Sequence, residues 1–190
     1  ASLLNGLTAG SYDVTITDNN NCQKVLTANV TEPDSISIDV ASVVDVSCNG
    51  LTDGAITLNV TGGNGGFTFD WSNNQTTSSA SIASLSDGNY FVTVTDVENC
   101  TKVSNSIEVT EPTALSVNSS FVNVSCLGGS DGSAIVTVNG GTLPYTFDWN
   151  SSSNTDSIEL GLPAGPVSVD IEDANGCTTS ASFNIADGTS

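Results

Sequence analysis

The segment "YFVTVTDVENCTK", Tyr90 to Lys102, has near-copies on either side: "YDVTITDNNNCQK" from Tyr12 to Lys24 and "VSVDIEDANGCTT" from Val167 to Thr179. Each copy carries one cysteine just after an acidic turn, at Cys22, Cys100 and Cys177, spaced 78 and then 77 residues apart. A second signature keeps the period, with "VVDVSCNGLTDGAI" around Cys48 returning as "FVNVSCLGGSDGSA" around Cys126. A third does the same, Gly62–Trp71 "GGNGGFTFDW" returning as Gly140–Trp149 "GGTLPYTFDW". The chain is therefore an array, and each full unit of about 79 residues is near the low end for a domain that must bury its own core.

Glu-Pro closes two of the units, at Glu32-Pro33 and Glu111-Pro112. The spacing therefore predicts the C-terminal hairpin of a truncated repeat over residues 1–32, a complete repeat over 33–111 and a second over 112–190. The opening in mid-repeat, with no visible signal peptide, is what a piece of something longer would show. The closing "NIADGTS" lacks the Glu-Pro. At the two joints proline fixes its own φ and biases the preceding glutamate toward extended backbone, which predicts semi-rigid junctions.

Within a unit the apolar residues alternate. Ile56, Leu58 and Val60 share one face of "AITLNV"; Phe67, Phe69 and Trp71 share one face of "FTFDW"; Tyr90, Val92 and Val94 do the same in "NYFVTV". The last unit keeps the register as Ala134, Val136 and Val138, then Tyr145, Phe147 and Trp149. Val167 stands at the position of Tyr90, so ring volume must come from elsewhere. Short alternating segments between Gly, Asn and Asp turns predict an all-β fold: tandem immunoglobulin-like β-sandwich modules of about seven strands each. The aromatic residues share their register with β-branched ones, which makes them core rather than a ligand platform.

Charge narrows the partners. The chain has 21 acidic residues, 2 basic ones and no histidine, for a formal charge of -19. Nucleic acid and anionic lipid both need a basic footprint, so neither is an expected partner. No run of about 18 apolar residues exists to insert into a membrane. Imidazole metal sites and histidine-dependent triads are excluded, and "GGNGG" is not followed by the Lys-Ser/Thr of a phosphate loop. An enzyme is not expected.

The order "VSC.G..DG", "GG..PY.F.W", "L..G.Y.V.V.D..GC", "T.EP" resembles the SprB-type repeat of very large secreted adhesins in gliding and related Bacteroidetes. The last unit matches it at Cys126, Asp131-Gly132, Gly140-Gly141, Pro144-Tyr145, Trp149, Leu162, Gly165, Asp173 and Cys177. The middle unit matches at Cys48, Asp53-Gly54, Gly62-Gly63, Trp71, Leu85, Gly88, Tyr90, Asp96 and Cys100. It departs at Gly66-Phe67, where the family favours Pro-Tyr, and the last unit lacks the tyrosine at Val167. The resemblance implies export by the type IX system, an extracellular cell-surface location, and a parent protein acting in adhesion or gliding motility.

In such a setting disulfides are the default for paired cysteines. Pairing within units, Cys48–Cys100 and Cys126–Cys177, is the first expectation, with Cys22 unpaired by truncation. Closing the Cys48–Cys100 loop would remove on the order of 4 kcal/mol of unfolded-state entropy. In ordinary immunoglobulin topology those two positions lie at opposite ends of the sandwich, so a staple from one unit to its neighbour is the alternative, and free thiols a third. No cofactor is expected apart from calcium, for which Asp18, Asp53, Asp96, Asp131 and Asp173 are weak candidates. The competing reading makes those aspartates turn residues bonded to their own backbone. Asp34-Ser35-Ile36 and Asp156-Ser157-Ile158 resemble the Bacteroidetes O-glycosylation pattern, marking Ser35 and Ser157 as weak acceptors.

Two functions compete. One is a structural spacer in an adhesin filament, with neighbouring repeats of the chain as partners. The other is a module that itself binds carbohydrate or another surface polymer, for which "SNNQTTSSAS" and "NSSSNTDS" are the variable stretches. Those stretches hold no tryptophan or tyrosine to stack on a sugar, which favours the spacer.

Overall fold

The computed structural model describes residues 3–189. Every regular element among them is a β-strand, and every strand pair described is antiparallel. The strands are β1 (Gly10–Thr17), β2 (Gln23–Val30), β3 (Ser37–Val44), β4 (Gly54–Thr61), β5 (Thr68–Trp71), β6 (Thr76–Thr77), β7 (Ser81–Leu85), β8 (Gly88–Tyr90) and β9 (Val92–Thr95). They continue with β10 (Thr101–Val103), β11 (Ile107–Val109), β12 (Ser116–Val122), β13 (Gly132–Asn139), β14 (Thr146–Trp149), β15 (Ile158–Leu162), β16 (Gly165–Glu172) and β17 (Thr178–Ile185). The sheets are β1-β2, β3-β4-β7, β10-β9-β5-β6, β11-β8, β12-β13-β15 and β14-β16-β17. The pattern recurs with the sequence period of about 78 residues, in agreement with the all-β, repeating reading. Among the described residues no helix is long and apolar enough to cross a membrane.

Two compact units divide the chain. One holds the chain up to Asp39 with Asn59–Ala80 and Val92–Ser104; the other holds Val40–Leu58, Ser81–Phe91 and everything from Asn105 onward. In the first, the β1-β2 hairpin runs in full register from Gly10↔Val30 to Thr17↔Gln23. Its Val14 is 52% exposed, whereas Val92, at the same repeat position, is 0% exposed. Phe69, Trp71 and Val94 are buried with Val92, as their alternation predicts.

In the second unit, strands β13 to β17 of the sheets β12-β13-β15 and β14-β16-β17 feed one core with Val124 from the loop after β12: Ala134, Val136, Trp149, Leu162, Val167, Val169, Ile171 and Ile185. The ring volume missing at Val167 comes from its cross-strand partner. Val167 faces Phe183, where the preceding repeat pairs Tyr90 with Ile107. Phe183 meets Trp149 edge-on at 6.2 Å and stacks on Phe121 at 5.5 Å. The large residue has changed strands while the pair keeps its bulk.

One continuous strand, β16, corresponds to the broken pair β8 and β9. The break coincides with one extra residue between Cys100 and Thr110, relative to Cys177 and Ala186. At the break Ser104 donates its amide to the Val92 carbonyl at 2.9 Å and accepts the Val92 amide on Oγ at 3.0 Å. This is how a bulge absorbs an insertion without losing the ladder beyond it.

Candidate functional site

The residues that distinguish this chain chemically are its cysteines and the turns that present them. Cys48 sits in a turn held by Asp53, which accepts the Ser47 amide at 3.0 Å and the Ser47 hydroxyl at 2.5 Å. Leu51 donates to the Cys48 carbonyl at 3.0 Å and closes the turn. Glu111 locks it from outside, taking the Gly50 amide at 2.7 Å on one oxygen and the Asn49 side-chain amide at 2.7 Å on the other. Asn49 also donates to the Pro112 carbonyl at 3.2 Å, so the Glu-Pro joint is bonded directly to the cysteine turn.

Cys177 sits at the tip of the β16-β17 hairpin. Asp173 Oδ1 accepts the amides of Asn175 and Cys177, both at 2.9 Å, and Oδ2 accepts the Thr142 amide at 2.7 Å. The residue before the cysteine has φ 82° and is Gly176, a left-handed position that glycine takes without strain. Asn99 and Asn21 hold the same place at φ 64°.

These two ends are bonded. Cys48 and Cys177 form a disulfide with Cα atoms 5.7 Å apart, inside the roughly 4.4–6.8 Å that a disulfide spans. Beside it Asn175 donates to the Ser47 carbonyl at 2.9 Å and to Thr142 Oγ1 at 3.2 Å. Cys48, Asn49, Leu51, Ala114, Leu115, Gly176, Cys177 and Thr178 line a crevice around the bond.

The pairing corrects the first expectation: Cys48 is not joined to Cys100, nor Cys126 to Cys177. The reason is the length of one strand. Cys177 follows β16, while the Cys126 turn is tied to the far end of that hairpin by Gly128 donating to Asp187 at 2.9 Å, two residues past Ile185. Gly165↔Ile185 and Glu172↔Thr178 are the two ends of the ladder. Eight residues of strand separate them by roughly 23 Å, beyond any disulfide. Cys22, Cys100 and Cys126 are free and exposed.

The five calcium candidates are engaged by donors. Asp18 accepts the amides of Asn20 and Cys22, and Asp96 those of Glu98, Cys100 and Asn64. Asp131 holds Ser125 as Asp53 holds Ser47. Among the described residues no three His, Cys, Asp or Glu side chains gather as a metal site. The Ser47 hydroxyl and amide hold the Asp53 carboxyl below its ordinary value, and Ser125 does so for Asp131. Burial pushes Asp96 and Asp173 upward, but the amides around them outweigh it and both end lowered. The Asp96 charge, followed by burial, raises the Cys100 thiol.

Ser35 is exposed and Ser157 is half-buried, its carbonyl accepting the Val136 amide at 2.9 Å. The "NSSSNTDS" stretch borders an open hollow lined by Ser152, Asn154, Asp156 and Glu159, with no aromatic ring. Glu159 is buried there and accepts from Asn154 at 2.7 Å.

The family model described as the SprB repeat matches residues 40–76 and again 118–154. Each of these two segments matches the SprB repeat. The two matches are displaced by the same 78 residues as the cysteine turns, and each SprB match begins just before one of those turns. A structural or adhesive role in a surface protein goes with the family. No curated protein matches the chain. Among solved structures, the three N-terminal domains of the bacteriophage RB49 highly immunogenic outer capsid protein superpose with TM-score 0.42 at 19% identity, covering 80% of this chain and 58% of that one. The C-terminal 282-residue fragment of intimin, in complex with the intimin-binding domain of its translocated receptor, gives 0.37 at 16%, covering 78% and 64%. The chain thus spans less than two thirds of either.

Glu111 was visible in the sequence as half of the Glu-Pro joint, though not as a clamp on Asn49 and Gly50. Asn175 carried no signal, being one of many turn asparagines. Asp187 restores the clamp where "NIADGTS" lacks Glu-Pro, with one shorter carboxylate doing the work on Gly128.

Proposed function

We propose that this segment is a structural spacer of a cell-surface adhesin filament, built of immunoglobulin-like β-sandwich modules over residues 33–111 and 112–190 after the final hairpin of another. The observation that carries the reading is the Cys48–Cys177 bond, which ties the turn of one repeat to the hairpin of the next. A covalent staple with a polar clamp on the Glu111-Pro112 joint suits a segment that transmits load. Dense negative charge keeps such surfaces apart from one another. Adhesion and gliding belong to the parent protein in this reading.

A binding module is the second reading, favoured by the hollow beside Asn154 and Glu159. Binding of the chain to arrayed glycans and to surface polysaccharide, with and without calcium and alongside thermal melts, separates the two. The spacer reading expects no saturable binding and no calcium-dependent rise in melting temperature, since the turn aspartates already hold amides. Saturable binding to one polymer would replace it with the second reading.

A further inference from the structure

Strand β15 inverts the pattern of its counterpart β7. The registers Ile56↔Ile82 and Ala134↔Glu159 put Glu159 at the place of Ile82, with Ile158 at that of Ser81 and Leu160 at that of Ala83. In β7 the aliphatic Ile82 is buried, 4% exposed, between exposed Ser81 and Ala83. In β15 the carboxylate of Glu159 is buried, 5% exposed, between exposed Ile158 and Leu160. Room for it comes from the facing strand, where Ala134 replaces Ile56. A strand that buries a charge and exposes two aliphatic side chains works against its own fold on both counts.

The surroundings of Glu159 do not neutralise it. Oε2 accepts the Asn154 side-chain amide at 2.7 Å, a neutral donor that also holds the Ile158 carbonyl at 2.6 Å. Among the described residues no hydrogen bond or ion pair reaches Oε1. Glu159 nevertheless lines the open hollow, together with the exposed Asp156, Ile158 and Leu160. Because β15 is the edge of its sheet, the inward carboxylate and the outward aliphatic side chains border the same open side.

We propose that this hollow binds a lysine side chain of a partner protein, the ammonium meeting Glu159 Oε1 and Asp156 while the methylene stem lies on Ile158 and Leu160. An ammonium is a compact charge with three donors, and its stem covers apolar surface while the head stays with polar groups. A chain of formal charge -19 draws cationic partners rather than copies of itself. Two carboxylates fall short of the roughly six to eight oxygens that calcium takes, and among the described residues no three acidic side chains gather. The site is additional to the spacer role, so its failure would leave the stapled joint untouched.

The test follows the two indole N–H signals of the intact chain by NMR. Trp149 donates to the Asp156 carbonyl at 2.8 Å in the wall of the hollow and reports on it. Trp71, whose Nε1 has no hydrogen-bond partner among the described residues, is the internal control. Titration with an acetylated, amidated Gly-Lys-Gly peptide should shift the Trp149 signal saturably and leave that of Trp71 in place, and added salt should weaken the binding. The same peptide carrying Nε-acetyl-lysine, which keeps the stem without the charge, should move neither signal. Glu159→Gln should weaken binding several-fold. Glu159→Ile, which restores the pattern of β7, should abolish it without lowering the melting temperature. A Trp149 signal that the lysine peptide does not move, unchanged affinity in Glu159→Ile, or a saturable shift with calcium or N-acetylglucosamine in place of the lysine peptide would overturn the proposal.

Discussion

Asn175 donates its side-chain amide to the backbone carbonyl of Ser47 at 2.9 Å, across 128 residues of sequence. The same asparagine donates its backbone amide to Asp173, so one residue joins the hairpin tip to the cysteine turn. The disulfide beside it is therefore the covalent half of a joint whose other half is polar.

Removing the polar half should cost little while the bond is intact. Asn175→Ala loses the Ser47 and Thr142 contacts, a net loss of about 1 kcal/mol. Thermal melts should show a drop of about 2–4 °C, growing once Cys48–Cys177 is reduced. An unchanged midpoint in both states would mean that Asn175 merely fills the crevice.

Removing the covalent half should cost more. A loop closed over 129 residues restricts the unfolded chain by up to about 5 kcal/mol in the chain-entropy account. Cys48→Ser should therefore lower stability by about 2–5 kcal/mol, and reduction of the unmodified chain should lower it as much. Because Cys100 and Cys126 carry no bond, serine at either should leave denaturant midpoints in place.

Acid should loosen the turns. Asp53, Asp96, Asp131 and Asp173 all have folded-state values below the ordinary 3.8. A depressed carboxyl contributes stability that is complete above its unfolded value and is lost as pH falls through the folded one. Denaturant midpoints should stay level from neutral pH to just above 4 and then decline. Asp173→Asn, which turns an amide toward the Thr142 N–H, should be less stable near neutrality and flatten part of that decline. The raised Cys100 thiol should alkylate more slowly near pH 8 than it does in the unfolded chain.

The swapped ring should behave as a unit. Phe183→Ile leaves a void against Trp149 and Phe121 and should cost about 1–2 kcal/mol. Adding Val167→Tyr, which copies the Tyr90 and Ile107 pair, should recover most of it. Additive losses from the two changes in a double-mutant cycle would contradict the pairing.

Much of this fold could be read from alternation alone. Ile56, Leu58, Phe69, Trp71, Val92 and Val94 are buried where period 2 puts them, because one face of each strand must leave water. The partner of Val167 could not be read, since compensation across strands depends on register. Cysteine pairing failed for a related reason: at a fixed period, pairing within a repeat and pairing to the next repeat are equally regular. What decides is the eight-residue length of β16, which holds the Cys126 turn and Cys177 at opposite ends. The acidic turns had two readings, and the amides of Asn20, Glu98 and Asn175 on their carboxylates carry the turn geometry.

Peptide mapping of the untreated chain, with thiols blocked at low pH before digestion, tests the stapled joint most directly. The predicted result is a single linked pair carrying Cys48 and Cys177, with the blocking group on Cys22, Cys100 and Cys126. A pair joining Cys48 to Cys100, or Cys126 to Cys177, would put each bond back inside its own repeat and contradict the account.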